Sequence, residues 1–304
     1  MKKPLLIIIL SLPLFVIGQQ KADILNQIIK INMLQTEDKG PGVIDTNFMS
    51  LEERKEFNEI PNKYDNYKNF QALTKIITHS ELVELTNNKN GVVRLFAIRQ
   101  LVKERDYNFN FFNFFLNEFD KKDFILSRFA DMIDSEATYS ILLQDFSGDW
   151  NYARSTGEKT DSKFLNHILR PIDSFILFNN FEFDDATYED VFDRQKFEKS
   201  ANGTIVELIK NEYNFWAFNY LRKNDPELYR SIKKATIAAL VKNKKTVLNE
   251  HPQFYEWFLR YLITSHQYND AKSLLQELNE RDYSKETVDF MLTGIDKKLI
   301  DRVR

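Results

Sequence analysis

Histidine and cysteine carry much of the metal-binding and nucleophilic chemistry of proteins, and this chain offers little of either. It contains no cysteine, which excludes disulfides, thiolate catalysis and cysteine-based zinc sites. Its four histidines are scattered, and no H-E-x-x-H motif joins two of them: His79, His167, His251 and His266. We therefore expect surface or capping roles for the histidines, with no metal site and no cofactor.

Acidic residues are the other source of acid–base or cation-binding chemistry, and a dense group of them lies between Asn179 and Asp193. Its members are Glu182, Asp184, Asp185, Glu189 and Asp190. The stretch lacks the glycine and the alternating acids of an EF-hand loop, so a solvated loop is expected. Carboxylate pairs for glycoside hydrolysis stay open, because the 45 acidic residues offer many pairs and only geometry selects among them.

Several function classes lack the features that they need. The sequence has no P-loop, no G-x-G-x-x-G turn and no G-x-S-x-G elbow. With 42 basic and 45 acidic residues, the net charge of −3 predicts no surface for nucleic acid. No basic amphipathic helix favours a membrane surface. We single out no catalytic or cofactor-binding residue, and a non-enzymatic protein is the favoured class.

The N-terminus has the features of a secretory signal peptide. Lys2 and Lys3 precede an apolar run over residues 5–17, and cleavage is expected after Gly18. A membrane anchor is the alternative, but this run is shorter than the roughly 20 residues that span a bilayer. We therefore expect residues 1–18 to be removed and the protein to be periplasmic or extracellular.

Composition and periodicity predict an all-α protein. Average usage would give about 21 glycines and about 15 prolines in a chain of this length, whereas this one has 8 and 7. Apolar residues at helical spacing predict a first helix over residues 22–35. A loop over residues 37–47 and a capping box at residues 50–53 follow.

Residues 80–105 carry a recognisable pattern. Leu82 to Leu85 end one helix, a polar turn follows, and Val93 and Arg94 open a second helix with Ala97 on its inner face. The pattern resembles a HEAT repeat (Ser80 to Arg105), and the resemblance implies two closely packed antiparallel helices. Arg94 is then expected to reach a neighbouring turn.

The middle of the chain is predicted to continue as helices. The ring-rich stretch 108–119 predicts a largely buried helix, and residues 124–133 and 136–146 predict another helix pair. Residues 147–164 are polar and contain two glycines, which predicts an irregular connection. A capping box at residues 204–207 predicts one long helix through Tyr220, with Thr204 as its cap.

The C-terminal region ends in a second recognisable pattern. Asp225 and Pro226 predict a helix N-terminus. Packing residues then recur over two helices: Tyr255, Phe258, Leu262, Tyr268, Ala271, Leu275 and Leu278. They resemble one tetratricopeptide repeat (Tyr255 to Leu278), which implies a further antiparallel helix pair.

These patterns together predict an α-solenoid of stacked antiparallel helix pairs, HEAT-like over residues 19–146 and tetratricopeptide-like at the end of residues 165–304. Such solenoids present a concave surface to another protein. The leading hypothesis is a non-enzymatic interaction or scaffold protein of the periplasm or cell envelope, bound to a protein or peptide there. The alternative is a helical-fold enzyme that acts on a glycan or peptide through carboxylates or a histidine. A deep pocket of converging acids would favour the enzyme, and a shallow groove of Tyr, Arg and Asn would favour the binder.

Overall fold

The computed structural model describes residues 3–35, 65–129, 132–179, 183, 185–250, 252–280 and 284–303. These described residues are predominantly helical, with 78% of them in helices, and they contain sixteen α-helices, which confirms the all-α class. Two compact units divide the chain, residues 1–172 and residues 173–304. Within the described ranges, no helix is both long and apolar enough to cross a membrane. The loop predicted over residues 37–47 and the capping box at residues 50–53 lie outside them.

The first unit contains helices and one small sheet. Its helices are α1 (Lys3–Ile31), α2 (Asp65–Thr74), α3 (His79–Leu85), α4 (Gly91–Glu104), α5 (Phe111–Lys121), α6 (Thr138–Thr156) and α7 (Lys159–Phe178). Its strands are β1 (Met33–Gln35), β2 (Phe124–Phe129) and β3 (Met132–Ala137). Helix α1 packs against α2 and α4. Helix α7 crosses the boundary between the units.

The first helix ends earlier than the periodicity predicts, at Ile31 instead of Gln35. Asn32 follows it with φ +49°, a left-handed conformation that asparagine tolerates. Asn66 then fixes the chain beyond the helix. Its Nδ2 donates to the Met33 carbonyl at 2.8 Å, and its backbone N–H donates to Gln35 Oε1 at 2.8 Å. These buried bonds hold β1 beside α2.

A three-stranded sheet in the order β1-β2-β3 replaces part of a predicted helix pair. The interpretation of residues 124–133 as a helix is wrong. Phe124 and Leu126 are exposed while Ile125 between them is buried, which is the two-residue alternation of a strand. The range 136–146 is helical only from its third residue.

The irregular connection predicted over residues 147–164 is also wrong. Helices α6 and α7 fill this range, apart from a two-residue turn that begins at Gly157 with φ +75°. Ser147, Trp150 and Ala153 are buried at the spacing of a helix face. The polar residues between them form the exposed face of a helix, not a loop.

The residues that resemble a HEAT repeat form the predicted helix pair, and α3 packs against α4. Thr78 caps α3, since its hydroxyl accepts the N–H of Glu81 and the Glu81 carboxylate accepts the N–H of Thr78. Val93, Ala97 and Leu101 have no exposed surface. The inner face of α4 is therefore the one that the sequence predicts.

The second unit is helical throughout its described residues. Its helices are α8 (Asp185–Arg194), α9 (Asn202–Asn211), α10 (Phe215–Asn224), α11 (Pro226–Lys242), α12 (Lys244–Glu250), α13 (Pro252–Thr264), α14 (Tyr268–Glu280), α15 (Lys285–Met291) and α16 (Lys297–Ile300). Asp225 caps α11 by accepting the N–H of Leu228, and Pro226 is its first residue. This N-terminus is the predicted one.

Two sequence interpretations in this unit need correction. The acidic stretch is helical from Asp185 because Tyr188 and Val191 bury one face of α8. The long helix predicted from Thr204 is two helices, and Thr204 lies inside α9, which begins at Asn202 after a 3-10 turn. Tyr213, with φ +49°, separates α9 from α10.

The tetratricopeptide-like residues form the helices α13 and α14, which pack against each other. Their predicted packing residues are buried, apart from the partly exposed Tyr268. The chain turns between the two helices at His266, which has φ +59°. Helix α10 contacts α13, and α11 contacts α14. The pair α10–α11 therefore lies beside the pair α13–α14.

Candidate functional site

The described histidines do not form a site. The Nδ1 atom of His79 lies 3.4 Å from Glu104 Oε2, and its Nε2 atom lies 3.2 Å from Asp106 Oδ2. His167 is exposed on α7, and His266 is exposed in the turn before α14. Among the residues that the structure describes, no group of three His, Asp or Glu side chains is arranged to hold a metal ion.

The acidic group is only partly described. Glu182, Asp184 and the side chain of Asp185 lie outside the described part, as does His251. Glu189 and Asp190 lie on α8, where Asp190 forms an ion pair with Arg194 at 3.2 Å. The described members thus belong to a helix and its ion pairs.

Asp173 is a buried carboxyl with a shifted pKa. It forms an ion pair with Arg194, whose Nε donates to Asp173 Oδ2 at 3.0 Å, and both side chains are 1% exposed. Burial raises the pKa of Asp173 to about 6, although the hydrogen bonds and charge of Arg194 act to lower it. A substrate in solution cannot reach this pair, so its role is structural.

The first unit has a cleft of about 530 Å³, which we call the Arg99 cleft. Arg99 on α4 makes a bidentate ion pair with Asp145 on α6, with distances of 2.7 Å from Nε to Oδ2 and 2.9 Å from Nη2 to Oδ1. Arg105, directly after α4, pairs with Asp161 on α7. The two ion pairs connect α4 and the residue after it to α6 and α7, which also line the cleft.

The floor and the rim of the Arg99 cleft differ in character. The floor is made of phenylalanine rings, with Phe70 and Phe96 stacked at 4.9 Å and with Phe146 and Phe164 beside them. The rim is polar: Tyr67, Gln71, Gln100, Lys103, Asp149, Tyr152 and Glu158. Tyr152 is 63% exposed. The cleft therefore combines an apolar floor with a mixed set of donors and acceptors.

The second unit has a shallower depression of about 310 Å³, which we call the Trp257 groove. Helix α10 contributes one stripe of side chains to it and α13 contributes another. The lining residues are Phe215, Asn219, Arg222, Trp257, Arg260, Tyr261, Thr264, Gly294 and Ile295. No acidic side chain is among these described lining residues, although Glu256, beside the groove on α13, lies 3.9 Å from Arg260 Nη1 and offsets part of its charge.

The two arginines of the Trp257 groove are held differently. Arg260 Nη1 donates to the Met291 carbonyl at 2.7 Å, and the turn at Gly294 approaches the same guanidinium. Arg222 is exposed, with its Cζ atom 5.7 Å from the ring centre of Tyr261. Among the described residues, Arg222 has no carboxylate at ion-pair distance. Its guanidinium is therefore available to a ligand.

Unsatisfied polar atoms lie on Asn219, which lines the groove, and on Trp216, which contacts the lining residue Trp257. The rings of Trp216 and Trp257 lie 4.9 Å apart, edge to face. Within the described part, Trp216 Nε1 and Asn219 Oδ1 are buried and have no hydrogen-bond partner. Such atoms cost roughly 1–3 kcal/mol each. A bound polar group that reached them would recover part of this cost.

A tyrosine pair lies behind the groove. The hydroxyls of Tyr229 on α11 and Tyr261 on α13 share a hydrogen bond. Burial, followed by the bond with Tyr261, raises the pKa of Tyr229. Tyr229 is therefore neutral at physiological pH, and the pair serves to position the Tyr261 ring beneath Arg222.

Sequence reasoning identified neither the cleft nor the groove, although it predicted the helices that form them. One signal in the sequence could have indicated the groove. The spacing of four and three residues places three of its side chains on one helix face: Phe215, Asn219 and Arg222. What the sequence does not reveal is that α10 lies beside α13. Comparison of the chain with protein-family models, with curated proteins and with solved structures gave no match.

Proposed function

We propose that this protein is a non-enzymatic helical-repeat protein that binds an acidic segment of another protein in the Trp257 groove. The composition of the groove carries the proposal, because arginine and aromatic residues line it without an acid. Such residues dominate the energetic centres of protein interfaces. A guanidinium without a carboxylate partner, such as that of Arg222, binds carboxylates in a bidentate geometry.

We further propose that the helix pairs stack as an α-solenoid. In the second unit, the first helices of the two pairs, α10 and α13, contact each other, and so do the second helices, α11 and α14. This arrangement supports stacking of successive pairs. The Trp257 groove then lies on the first helices of two pairs. In solenoids, such a row of equivalent helices forms the surface that binds partners.

Export with cleavage after Gly18 is also part of the proposal. Residues 17–20 are exposed, whereas Ile28 further along α1 is fully buried. Lys21 forms an ion pair with Glu81 at 2.7 Å. Cleavage before Gln19 would therefore leave the packed part of α1 intact. N-terminal sequencing of the secreted form should read from Gln19, and retention of residues 5–17 in a membrane fraction would refute it.

The enzyme alternative has weaker support. A helical-fold hydrolase needs a carboxyl or a histidine that faces a pocket and can exchange a proton with the substrate. In the Arg99 cleft, Asp145 and Asp161 are each engaged by an arginine. Neither of these two carboxylates is placed to act as a general acid, which leaves Asp149 and Glu158 as the lining acids on which the enzyme alternative rests.

Photo-crosslinking in the producing cell tests the proposal. A benzophenone side chain at Thr264, which is exposed and lines the groove, should give a covalent adduct with an envelope protein. The same group at Lys223, which is exposed on α10 but outside the groove, should give none. The Thr264 adduct should disappear in the Arg222→Glu variant. Equal adducts at both positions, or none at Thr264, would contradict the proposal.

A further inference from the structure

The Arg99 cleft differs from the Trp257 groove in its chemistry. Its two arginines are paired internally, Arg99 with Asp145 and Arg105 with Asp161, and its remaining charged residues, Lys103, Asp149 and Glu158, are of both signs. A ligand with a net charge would have to compete with these pairs. The cleft is therefore suited to a ligand that is polar and uncharged.

We infer that the Arg99 cleft binds a neutral oligosaccharide. This inference goes beyond the proposed function and does not depend on it, because the two sites share no residue. The cleft volume of about 530 Å³ lies in the range of small-molecule sites. A short saccharide presents hydroxyl groups along its edges and apolar C–H groups on its ring faces, and the cleft offers a partner for each.

The ion pairs leave hydrogen-bonding capacity for hydroxyl groups. Arg99 uses Nε and Nη2 for Asp145, and its Nη1 has no acceptor among the described residues. A guanidinium has five N–H donors, and each carboxylate oxygen has two acceptor sites. The pair therefore presents donors and acceptors side by side. A sugar hydroxyl, which donates one hydrogen bond and accepts others, matches such a lining.

The glutamines at the rim also offer hydrogen-bond donors and acceptors side by side. Gln100 Nε2 donates to Glu104 Oε1 at 2.8 Å, which orients its amide and leaves the carbonyl oxygen as an acceptor. Gln71 Nε2 donates to the Tyr67 hydroxyl at 2.7 Å. Both side chains are partly exposed. These fixed planar amides suit a ligand with hydroxyls at regular intervals.

Tyr152 supplies the surface for the apolar face of a sugar. Tyr152 is 63% exposed and lines the cleft, and an exposed aromatic ring offers apolar surface that a ligand can cover. A pyranose ring packed on Tyr152 would cover this surface and direct its hydroxyls toward Arg99 and Gln100. The phenylalanine floor would exclude water beneath them.

Binding of neutral trisaccharides to the purified protein tests the inference. The probes are maltotriose, cellotriose and chitotriose, measured by isothermal titration calorimetry and by saturation-transfer NMR. At least one should bind, and Tyr152→Ala should weaken it by about fivefold, the effect expected for one aromatic contact. The control Phe124→Ala removes a ring that is 68% exposed on β2, outside the cleft, and should leave the affinity unchanged.

The outcomes separate this site from the groove. Trp257→Ala should leave trisaccharide binding unchanged, whether or not the groove binds a protein. Absence of binding by all three sugars at millimolar concentration would overturn the inference, as would equal affinity in Tyr152→Ala. Release of new reducing ends would confirm that the protein binds the sugar but would contradict the non-enzymatic function proposed above.

Discussion

Arg94 and Glu118 form a bidentate ion pair that is closed off from water. Arg94 Nε lies 2.8 Å from Glu118 Oε1, and Nη2 lies 2.7 Å from Oε2, with side chains 2% and 0% exposed. The same guanidinium donates through Nη1 to the carbonyls of Asn88 and Lys89, both at 3.0 Å. Arg94 thus joins the turn before α4 to α5. The sequence predicts that Arg94 reaches a neighbouring turn, but it does not predict the ion pair with Glu118.

The first prediction concerns this pair. Glu118→Gln should lower the free energy of unfolding by about 1.5–3 kcal/mol, because Arg94 would lose its buried carboxylate partner and keep only Asp123, which lies 2.6 Å from Nη2 and is 45% exposed. Lys121→Ala is the control, since Lys121 also contacts Glu118 but is 44% exposed. It should cost less than about 1 kcal/mol. Equally small losses in urea unfolding would mean that the pair does not stabilise the fold.

The second prediction concerns the face on which α4 packs. Ala97 has no exposed surface, so a larger side chain there must displace its neighbours. Ala97→Leu should lower stability by about 1–3 kcal/mol, although leucine is a good helix former. Lys103→Leu, at an exposed position on the same helix, should change it by less than about 0.5 kcal/mol. Chemical denaturation distinguishes the two, and equal stabilities would contradict close packing at Ala97.

The third prediction is a pH dependence. The pKa of Asp173 is about 6 in the folded protein against an ordinary 3.8, so the folded state binds more protons between these values. The contribution of Asp173 to the free energy of unfolding is fully present below its ordinary pKa of 3.8, and it is lost as pH rises through the folded-state pKa of about 6. At 1.36 kcal/mol per pKa unit, wild type should lose up to about 3 kcal/mol relative to Asp173→Asn between pH 4 and pH 7.

Urea unfolding of both proteins across that pH range gives the measurement. The variant cannot titrate at this position, which makes it the reference for every other group. If the wild type instead became more stable relative to Asp173→Asn as pH rises, the pKa of Asp173 would not be raised. The lowering effect of Arg194 on this pKa would then exceed the raising effect of burial.

The fourth prediction concerns metals. Treatment with a chelator should leave the melting temperature unchanged, because the described residues offer no set of metal ligands. A bound metal contributes stability by mass action, so its removal would be visible. A decrease of several degrees that is reversed by adding a divalent cation would contradict this expectation.

Local structure could be predicted where its cause is local. The turn before α4 and the cap of α11 rest on neighbouring residues, and both were predicted. The strand β2 could not be read in the same way, because β1, which pairs with it in parallel, precedes it by a long stretch of chain. Leu126 and Ile125 satisfy a strand or a short helix equally well until the partner strand is known.

The candidate sites depend even more on distant contacts. Arg222 and Trp257 belong to separate helices, and only the packing of α10 beside α13 brings them to one groove. The ion pair between Arg99 and Asp145 likewise joins two helices. Exposed charged residues are frequent in any helical protein, so their spacing alone does not select the few that meet across an interface.

The central claim, that the Trp257 groove binds an acidic segment, is tested most directly by peptide affinity. Short random peptides displayed on phage should yield sequences rich in Asp or Glu with an aromatic residue. By calorimetry, an enriched peptide should bind Arg222→Glu at least about tenfold more weakly than wild type, since a charged hydrogen bond contributes about 1.5–3 kcal/mol. Lys223→Glu makes the same change of net charge on the same helix, outside the groove, and should retain wild-type affinity. Enrichment of peptides without acids, or equal weakening by both variants, would contradict the account.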